Sequence, residues 1–393
     1  MTRSLGLVAG FGLAFVALAA VLYATRAPTA LERARDAELL EASAGMPRPL
    51  DSAIADASVS PVGSAVVPEA HVAGSGPAGI VDTLETSRDP RAVEAALRAV
   101  LTTYSSRSTR KPAPDAALEH ALARHFRSED GAVTRAALAA ARIPLMAEAA
   151  SPELASAIAS TIVPEADPAR RMLALEALDL IRPDRRGAAV LAAIEQALAA
   201  PEPEVVSTAL FALAHSGPSL ATLSDVNRSE LAERVRALLL HPNPGVRGRA
   251  LSVLAEIADF VPPDVRLAAT LRHLPDPHPY VRAEAANLAA QCRNASAIHA
   301  LMHYVGDLAP ASYDLSFVDI EGRPGVAEHR VPGRKRVADA ALFTILALSR
   351  MQLLSTRLEL TLAGSSEPDA RVLENTAIAR AWYREVAAEI PRR

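Results

Sequence analysis

HPNPGVRGRALSVLAEIADFVPPDVRLAATLRHLPDPHPYVRAEAANLAAQC, residues 241–292, contains one sequence unit and the start of a second. The first copy opens with Pro-Asn-Pro-Gly-Val246-Arg247, and the next opens with Pro-His-Pro-Tyr-Val281-Arg282, 35 residues later. A repeat period of this length is typical of stacked pairs of helices. The stretch therefore predicts an all-α solenoid.

The same unit recurs along most of the chain. Seven copies align on an anchor position equivalent to Val246, and every copy has an alanine four residues after its anchor. Positions 0, 4, 5 and 8 of the unit share one helical face, so a small residue at one fixed point of that face indicates close helix packing. The anchors are Ala92, Val133, Arg170, Val205, Val246, Val281 and Val337, and the alanines are Ala96, Ala137, Ala174, Ala209, Ala250, Ala285 and Ala341.

The pattern Pro-x-x-Val-Arg-x-x-Ala, followed by spaced leucines, resembles the HEAT repeat in its bacterial HEAT-like or PBS-lyase-type form. The resemblance covers about residues 82–393 and implies about seven helical pairs. It also implies that the motif residues are structural, with Arg247 and Arg282 bracing neighbouring repeats. These structural positions are Val246, Arg247, Ala250, Val281, Arg282 and Ala285.

An apolar segment near the N-terminus, residues 5–24, contains no charged side chain. Its twenty residues match the roughly 30 Å of a bilayer core at 1.5 Å per residue. Residues 1–24 are therefore predicted to be a transmembrane anchor or, because Ala17-Leu18-Ala19 fits a cleavage pattern, a signal peptide. The apolar run continues past that pattern, which favours the anchor. We expect the rest of the protein to lie outside the cytoplasm.

The remaining chain divides into a linker and a repeat domain. Residues 25–80 are predicted to be a flexible linker rich in alanine, proline and serine, with a short helix at 28–43. The repeat domain is predicted at 81–393. Its last helix, at 369–390, carries the only tryptophan, Trp382, and is expected to cap the stack.

The repeat is interrupted near residues 306–333. Apolar and polar residues alternate from Tyr313 to Phe317, which predicts a strand, and the sequence Glu-Gly-Arg-Pro-Gly that follows predicts a turn. We therefore expect a β-hairpin or ordered loop that protrudes from the stack. Because aromatic residues and arginine are frequent at interface hot spots, this insertion is predicted to bind a partner. The candidate residues are Tyr313, Phe317, Arg323, Arg330 and Arg334.

The sequence contains no recognised catalytic, phosphate-binding or zinc motif. The single cysteine, Cys292, occupies a core position of its repeat, which predicts a buried thiol. We predict no catalytic residue, no metal ligand, no cofactor and no small-molecule substrate. The alternative is an enzyme or enzyme subunit with a hydrolytic or metal site in the insertion. Its candidate residues are Asp314, Asp319, Glu321, Glu328 and His329.

The charge balance argues against nucleic-acid binding, which is the least favoured function. The net charge is −4, and residues 81–393 retain about −2 when the charges of residues 1–80 are removed. Phosphate-binding surfaces are basic. The sequence therefore predicts a membrane-tethered scaffold or adaptor for an unidentified protein partner. We expect the helix after each anchor helix to line the concave side of the stack.

Overall fold

The structure, a computed structural model, describes residues 77–105, 116–143, 150–216, 220, 223–318, 324–331, 334–351, 358, 360 and 369–392. These residues form an α-solenoid of fifteen α-helices with one two-stranded antiparallel sheet. The predicted all-α solenoid and its hairpin are therefore confirmed. The predicted membrane segment, the 28–43 helix and most of the linker lie outside the described residues. None of the described helices combines the length and apolar character that a bilayer crossing requires.

The secondary structure follows the repeats. The first helix begins at Pro77, four residues inside the predicted linker. In chain order the helices are α1 (Pro77–Thr86), α2 (Pro90–Ser105), α3 (Ala116–His125), α4 (Gly131–Ala141), α5 (Pro152–Ala159), α6 (Pro168–Leu180), α7 (Ala188–Ala197), α8 (Pro203–Ala214), α9 (Asp225–Leu238), α10 (Pro244–Glu256), α11 (Pro263–His273), α12 (Pro279–Cys292), α13 (Ala297–Leu301), α14 (Val337–Met351) and α15 (Asp369–Val386), with strands β1 (Ser312–Val318) and β2 (Pro324–Arg330) between α13 and α14.

The anchor positions mark the starts of seven helices, α2, α4, α6, α8, α10, α12 and α14, which we call the anchor helices. In the first six of these the anchor is the third residue. The helix opens with proline in five cases, where the missing amide proton costs nothing. In α10 the side chain of Asn243 caps the helix by accepting hydrogen bonds from the Gly245 and Val246 amides, at 2.8 and 3.3 Å. The Pro-x-x-Val spacing is thus a helix-start signal.

The alanine four residues after each anchor is completely buried in all seven copies. Consecutive anchor helices pack against one another along the whole stack, and the alanine face allows their backbones to approach. The leucines one residue further on, such as Leu97, Leu210 and Leu251, are also completely buried. These positions form one continuous core, as expected for a repeat domain in which each unit stabilises only its neighbours.

The two layers of the solenoid differ in packing. Anchor helices contact one another more extensively than the helices of the other layer do. From α2 to α12, each anchor helix also packs more extensively on the helix before it than on the helix after it. The predicted pairing is therefore shifted by one helix.

Arginines of the anchor helices join successive repeats. The Arg247 guanidinium donates two hydrogen bonds to the Asp276 carboxylate, at 2.9 and 3.0 Å, and Arg282 repeats the contact with Asp307 at 2.8 and 2.9 Å. Each arginine also donates to two carbonyls of its own preceding turn, such as those of His241 and Pro242. Burial opposes ionisation of Asp276, but the hydrogen bonds from Arg247 and from the His278 amide hold its pKa below the usual value.

The series of arginine contacts has a gap in the middle of the stack. Arg171 of α6 reaches the Glu202 carboxylate before α8, at 2.8 Å. In the next copy, Val206 stands at the position that Arg171, Arg247 and Arg282 occupy in three other copies, and His241 stands where the following repeat has Asp276. His241 accepts a hydrogen bond from the Asn243 amide, as Asp276 does from the His278 amide. The local turn is kept, but the salt bridge between α8 and α10 is lost.

Replacing Asp276 with asparagine is expected to lower the free energy of unfolding by about 2 kcal/mol, because Arg247 loses a largely buried partner. Since the folded-state pKa of Asp276 is lowered, this stability is present above the unfolded pKa, near 4, and is lost as the pH falls below it. Urea denaturation of Asp276→Asn, Arg247→Met and the double variant measures the coupling. The exposed control Asp82→Asn should change stability by less than about 0.5 kcal/mol. Additive single effects would show that the pair is not coupled.

Candidate functional site

The inserted hairpin lies on the layer of anchor helices. Its strands pair antiparallel, with Tyr313 opposite His329 and Asp314 opposite Glu328. Strand β1 contacts four anchor helices, α6, α8, α10 and α12. The expectation that the hairpin protrudes from the stack is therefore wrong at its base. Tyr313 is only 9% exposed because it packs into the stack instead of facing solvent.

Two glycines of α10 make room for two tyrosine rings, one from the hairpin and one from α12. A Cβ atom on Gly245 would lie 2.5 Å from Cε2 of Tyr313, and one on Gly248 would lie 2.1 Å from Cε1 of Tyr280. The Tyr280 and Tyr313 rings contact each other with centroids 4.5 Å apart, and Tyr280 is fully buried. Glycine is therefore required at both positions, since any side chain would collide with a tyrosine ring.

Polar contacts fix the hairpin at the same place. The Tyr313 hydroxyl is hydrogen-bonded to Ser207 Oγ at 3.0 Å and accepts a hydrogen bond from Arg249 Nε at 3.2 Å. Arg249 Nη2 lies 3.2 Å from Nδ1 of His329, which accepts its hydrogen bond. The same guanidinium lies over the Phe211 ring, 4.3 Å from its centroid. We call these six residues of the anchor helices the docking site: Ser207, Phe211, Gly245, Gly248, Arg249 and Tyr280.

Burial controls the charges around the docking site. Arg249 is only 6% exposed, and it contacts a hydroxyl, an imidazole nitrogen and an aromatic face. Burial, reinforced by Arg249, lowers the pKa of His329 to about 4, so this imidazole is neutral near pH 7. Burial also raises the pKa of Glu284 in α12 to about 7, and attraction to Arg249 limits the rise. Glu284 is 4% exposed.

The hairpin has one side that contacts the stack and one side that faces solvent, which is the arrangement of a contact surface. Tyr313 and His329 face the anchor helices, whereas their neighbours Asp314 and Glu328 are exposed on the hairpin. Asp314 and Glu328 therefore lie on a different side of the hairpin from His329. The other two carboxylates considered for a hydrolytic site, Asp319 and Glu321, are outside the described residues. In the described part of the chain, no three side chains of the metal-ligating types form a group that could hold an ion.

Of the five predicted partner-binding residues, two have described side chains, and these two lie in different surroundings. Tyr313 is buried in the docking site, while Arg334 lies with its guanidinium 3.9 Å from the ring centroid of Phe343, an α14 residue that is 42% exposed. Phe317 and Arg330 belong to β1 and β2, but their side chains lie outside what the structure describes, as does all of Arg323. The structural positions Val246, Ala250, Val281 and Ala285 are completely buried in the anchor layer, and Arg247 and Arg282 form the inter-repeat contacts described above.

Sequence reasoning did not identify Arg249, Gly245, Gly248 or Tyr280. Gly248 carried the available signal, because a glycine in a helix interior costs about 1 kcal/mol relative to alanine and so has a packing reason. Arg249 gave no such signal. It lies one residue before a buried alanine in a helix with several arginines, where a solvated side chain is the usual expectation.

No protein-family model matches the sequence, and no curated protein is significantly similar to it. Among solved structures, one engineered protein shares 20% identity at a TM-score of 0.41, over 52% of this chain and 92% of its own. A second engineered protein shares 15% identity at 0.39, over 77% and 87%. A chain of the Kap95:Nup1 complex shares 14% identity at 0.48, over 77% of this chain and 41% of its own. These are similarities of fold alone.

Proposed function

We propose that the protein is a membrane-tethered scaffold that binds a protein partner through its anchor-helix layer and the hairpin docked there. The supporting observation is the division of the hairpin into a buried and an exposed side. Tyr313 and His329 are held by the docking site, and Asp314 and Glu328 are displayed to solvent. A loop fixed on a rigid framework is a common way to present binding residues.

The stack supplies a rigid support for this surface. The core is continuous through the anchor helices, and the hairpin is fixed by a buried tyrosine and a buried arginine. Little conformational freedom would then be lost when a partner binds, and that saving favours affinity. Beside the hairpin, the Arg334–Phe343 pair adds an aromatic and an arginine, residue types that are enriched at binding hot spots.

The tether in this proposal is the apolar segment 5–24, followed by the linker 25–80. Residues 46–79 alone, as a flexible coil, would span about 30 Å. The repeat domain would be held near the bilayer but could turn to meet its partner, and we place it outside the cytoplasm.

A photo-crosslinking amino acid at exposed positions tests the proposal in intact cells that express the full chain. Substitution at Asp314 and at Phe343 is expected to crosslink the same protein, identified by mass spectrometry. Substitution at Glu233, exposed on α9 in the other layer, is the control and should give no such product. Tyr313→Ala, which releases the base of the hairpin, should lower the Asp314 yield several-fold.

The cell fractions test the tether in the same experiment. Crosslinked product of the full chain should sediment with membranes, and product of a chain lacking residues 5–24 should not. Equal crosslinking from Glu233 and Asp314, or none from Asp314 and Phe343, would contradict the proposed function.

A further inference from the structure

A cationic cavity of about 600 Å³ lies between α13, with the turn after it, and the terminal helix α15. A second cavity of about 520 Å³ adjoins it and shares His303 and Arg380. We call these two cavities, which meet at His303 and Arg380, the groove. The first cavity is lined chiefly by His299, Met302, His303, Arg380, Tyr383 and Arg384.

The first cavity collects positive charge without a compensating carboxylate. No aspartate or glutamate lines it, and within the described residues neither Arg380 nor Arg384 forms an ion pair. Arg371, earlier in the same helix, does pair with Glu374 at 2.8 Å. Like charges four residues apart on a helix are unfavourable. In a chain with 45 acidic and 41 basic residues, such a group needs a reason.

The helix that carries the two arginines is tied to the segment that begins with α13. On one side of Arg380, the Thr376 hydroxyl donates to the carbonyl of Val305. On the other side, the Tyr383 hydroxyl donates to Nδ1 of His299 at 2.6 Å, in the tautomer whose Nε2 proton faces the Ile390 carbonyl. Both bonds tie α15 to the segment that begins with α13. The backbone positions of Arg380 and Arg384 are therefore fixed relative to α13, while their side chains are exposed.

The second cavity explains why an extended ligand fits better than a small anion. Its acidic residues are already occupied, because Asp276 binds Arg247 and Asp307 binds Arg282. The positive charge is therefore concentrated at Arg380 and Arg384, next to the apolar surface of Met302. A single phosphate would leave most of the groove empty.

We propose that this groove binds an acidic segment of a protein partner. Carboxylates of the segment would accept charge-assisted hydrogen bonds from Arg380 and Arg384, and a neighbouring apolar side chain would cover Met302. The inference rests on the proposed function, since its ligand is a protein segment, but it concerns a different surface from the hairpin.

The test uses the full chain and a fluorescent peptide of glutamates and leucines, with binding followed by anisotropy. The peptide is expected to bind with an affinity that falls as salt rises. Arg380→Glu and Arg384→Glu should each weaken binding by about tenfold, a loss of about 1.4 kcal/mol. Arg91→Glu, the same charge change at an exposed site in α2, should leave binding unchanged.

Three results would overturn the inference. The first is equal binding of a peptide with glutamine in place of glutamate. The second is displacement of the peptide by inorganic phosphate when the phosphate concentration equals that of the peptide's carboxylates. This result would indicate a small-anion site. The third is binding of phosphatidylglycerol vesicles, but not of the peptide, through the two arginines. If the peptide fails to bind while Asp314 still crosslinks its partner, only this inference fails; if both are lost, the proposed function fails too.

Discussion

Gly248→Ala is expected to destabilise the protein by about 2 to 3 kcal/mol, although helix propensity alone predicts a gain of about 1 kcal/mol. The added Cβ atom would lie 2.1 Å from Cε1 of Tyr280, a distance that packed atoms do not adopt. The ring cannot move aside easily, because Tyr280 is completely buried and contacts Tyr313. The helix or the ring must shift, and the docking site is disturbed with it.

The stability change caused by Gly248→Ala should differ in sign in a protein that lacks the Tyr280 ring. Tyr280→Ala should cost about 3 to 5 kcal/mol by itself, but it removes the ring that Gly248 accommodates. In that background Gly248→Ala should become neutral or stabilising. Urea denaturation followed by circular dichroism measures all four proteins, and Gly131→Ala is the control because its Cβ would meet only a flexible side-chain end at 3.4 Å. An equal loss from Gly248→Ala in both backgrounds would show that Tyr280 is not the cause.

Glu284→Gln is expected to become progressively more stable than the parent protein as the pH rises. Burial raises the folded-state pKa of Glu284 to about 7, from an ordinary value of 4.5. Between these values the folded protein holds a proton that the unfolded chain has lost, so the parent loses stability with rising pH. The difference between the two proteins should grow by about 3 kcal/mol from pH 4 to pH 8 and then level off.

Other titrating groups need not obscure this comparison. His329, whose pKa is lowered to about 4, costs stability as the pH falls from 6.5 towards 4, and it does so in both proteins. The other groups that face Glu284, Arg249 and Tyr280, are present in both proteins. Denaturation midpoints at several pH values supply the measurement, and Glu129→Gln reports the effect of removing one surface charge. A stability difference between Glu284→Gln and the parent protein that stays constant from pH 4 to pH 8 would contradict the prediction.

The repeat architecture could be predicted because it is local. Proline, anchor and alanine recur within a few residues, so their spacing on a helix fixes which side faces the core, and the completely buried alanines such as Ala250 and Ala285 agree with it. The hairpin strands were predictable for the same reason, from alternation over a few residues between Tyr313 and Phe317.

The position of the hairpin could not be predicted, because it depends on contacts between distant parts of the chain. Tyr313 meets Ser207 across 106 residues of sequence and Arg249 across 64. The sequence periodicity of the hairpin and of the anchor helices does not indicate that these residues are in contact. The pairing of Asp276 with the arginine of the preceding repeat, and not with the one in its own copy, was likewise a property of the stack.

The missing salt bridge between α8 and α10 affects how the stack would respond to force. A solenoid resists bending through the contacts between neighbouring repeats. A junction with fewer such contacts bends more easily. The hairpin spans the junction between α8 and α10, since Tyr313 is hydrogen-bonded to Ser207 of α8 and to Arg249 of α10. The insertion therefore joins α8 and α10 where the arginine contact is absent, and a load that pulled the hairpin away would remove this link between the two helices.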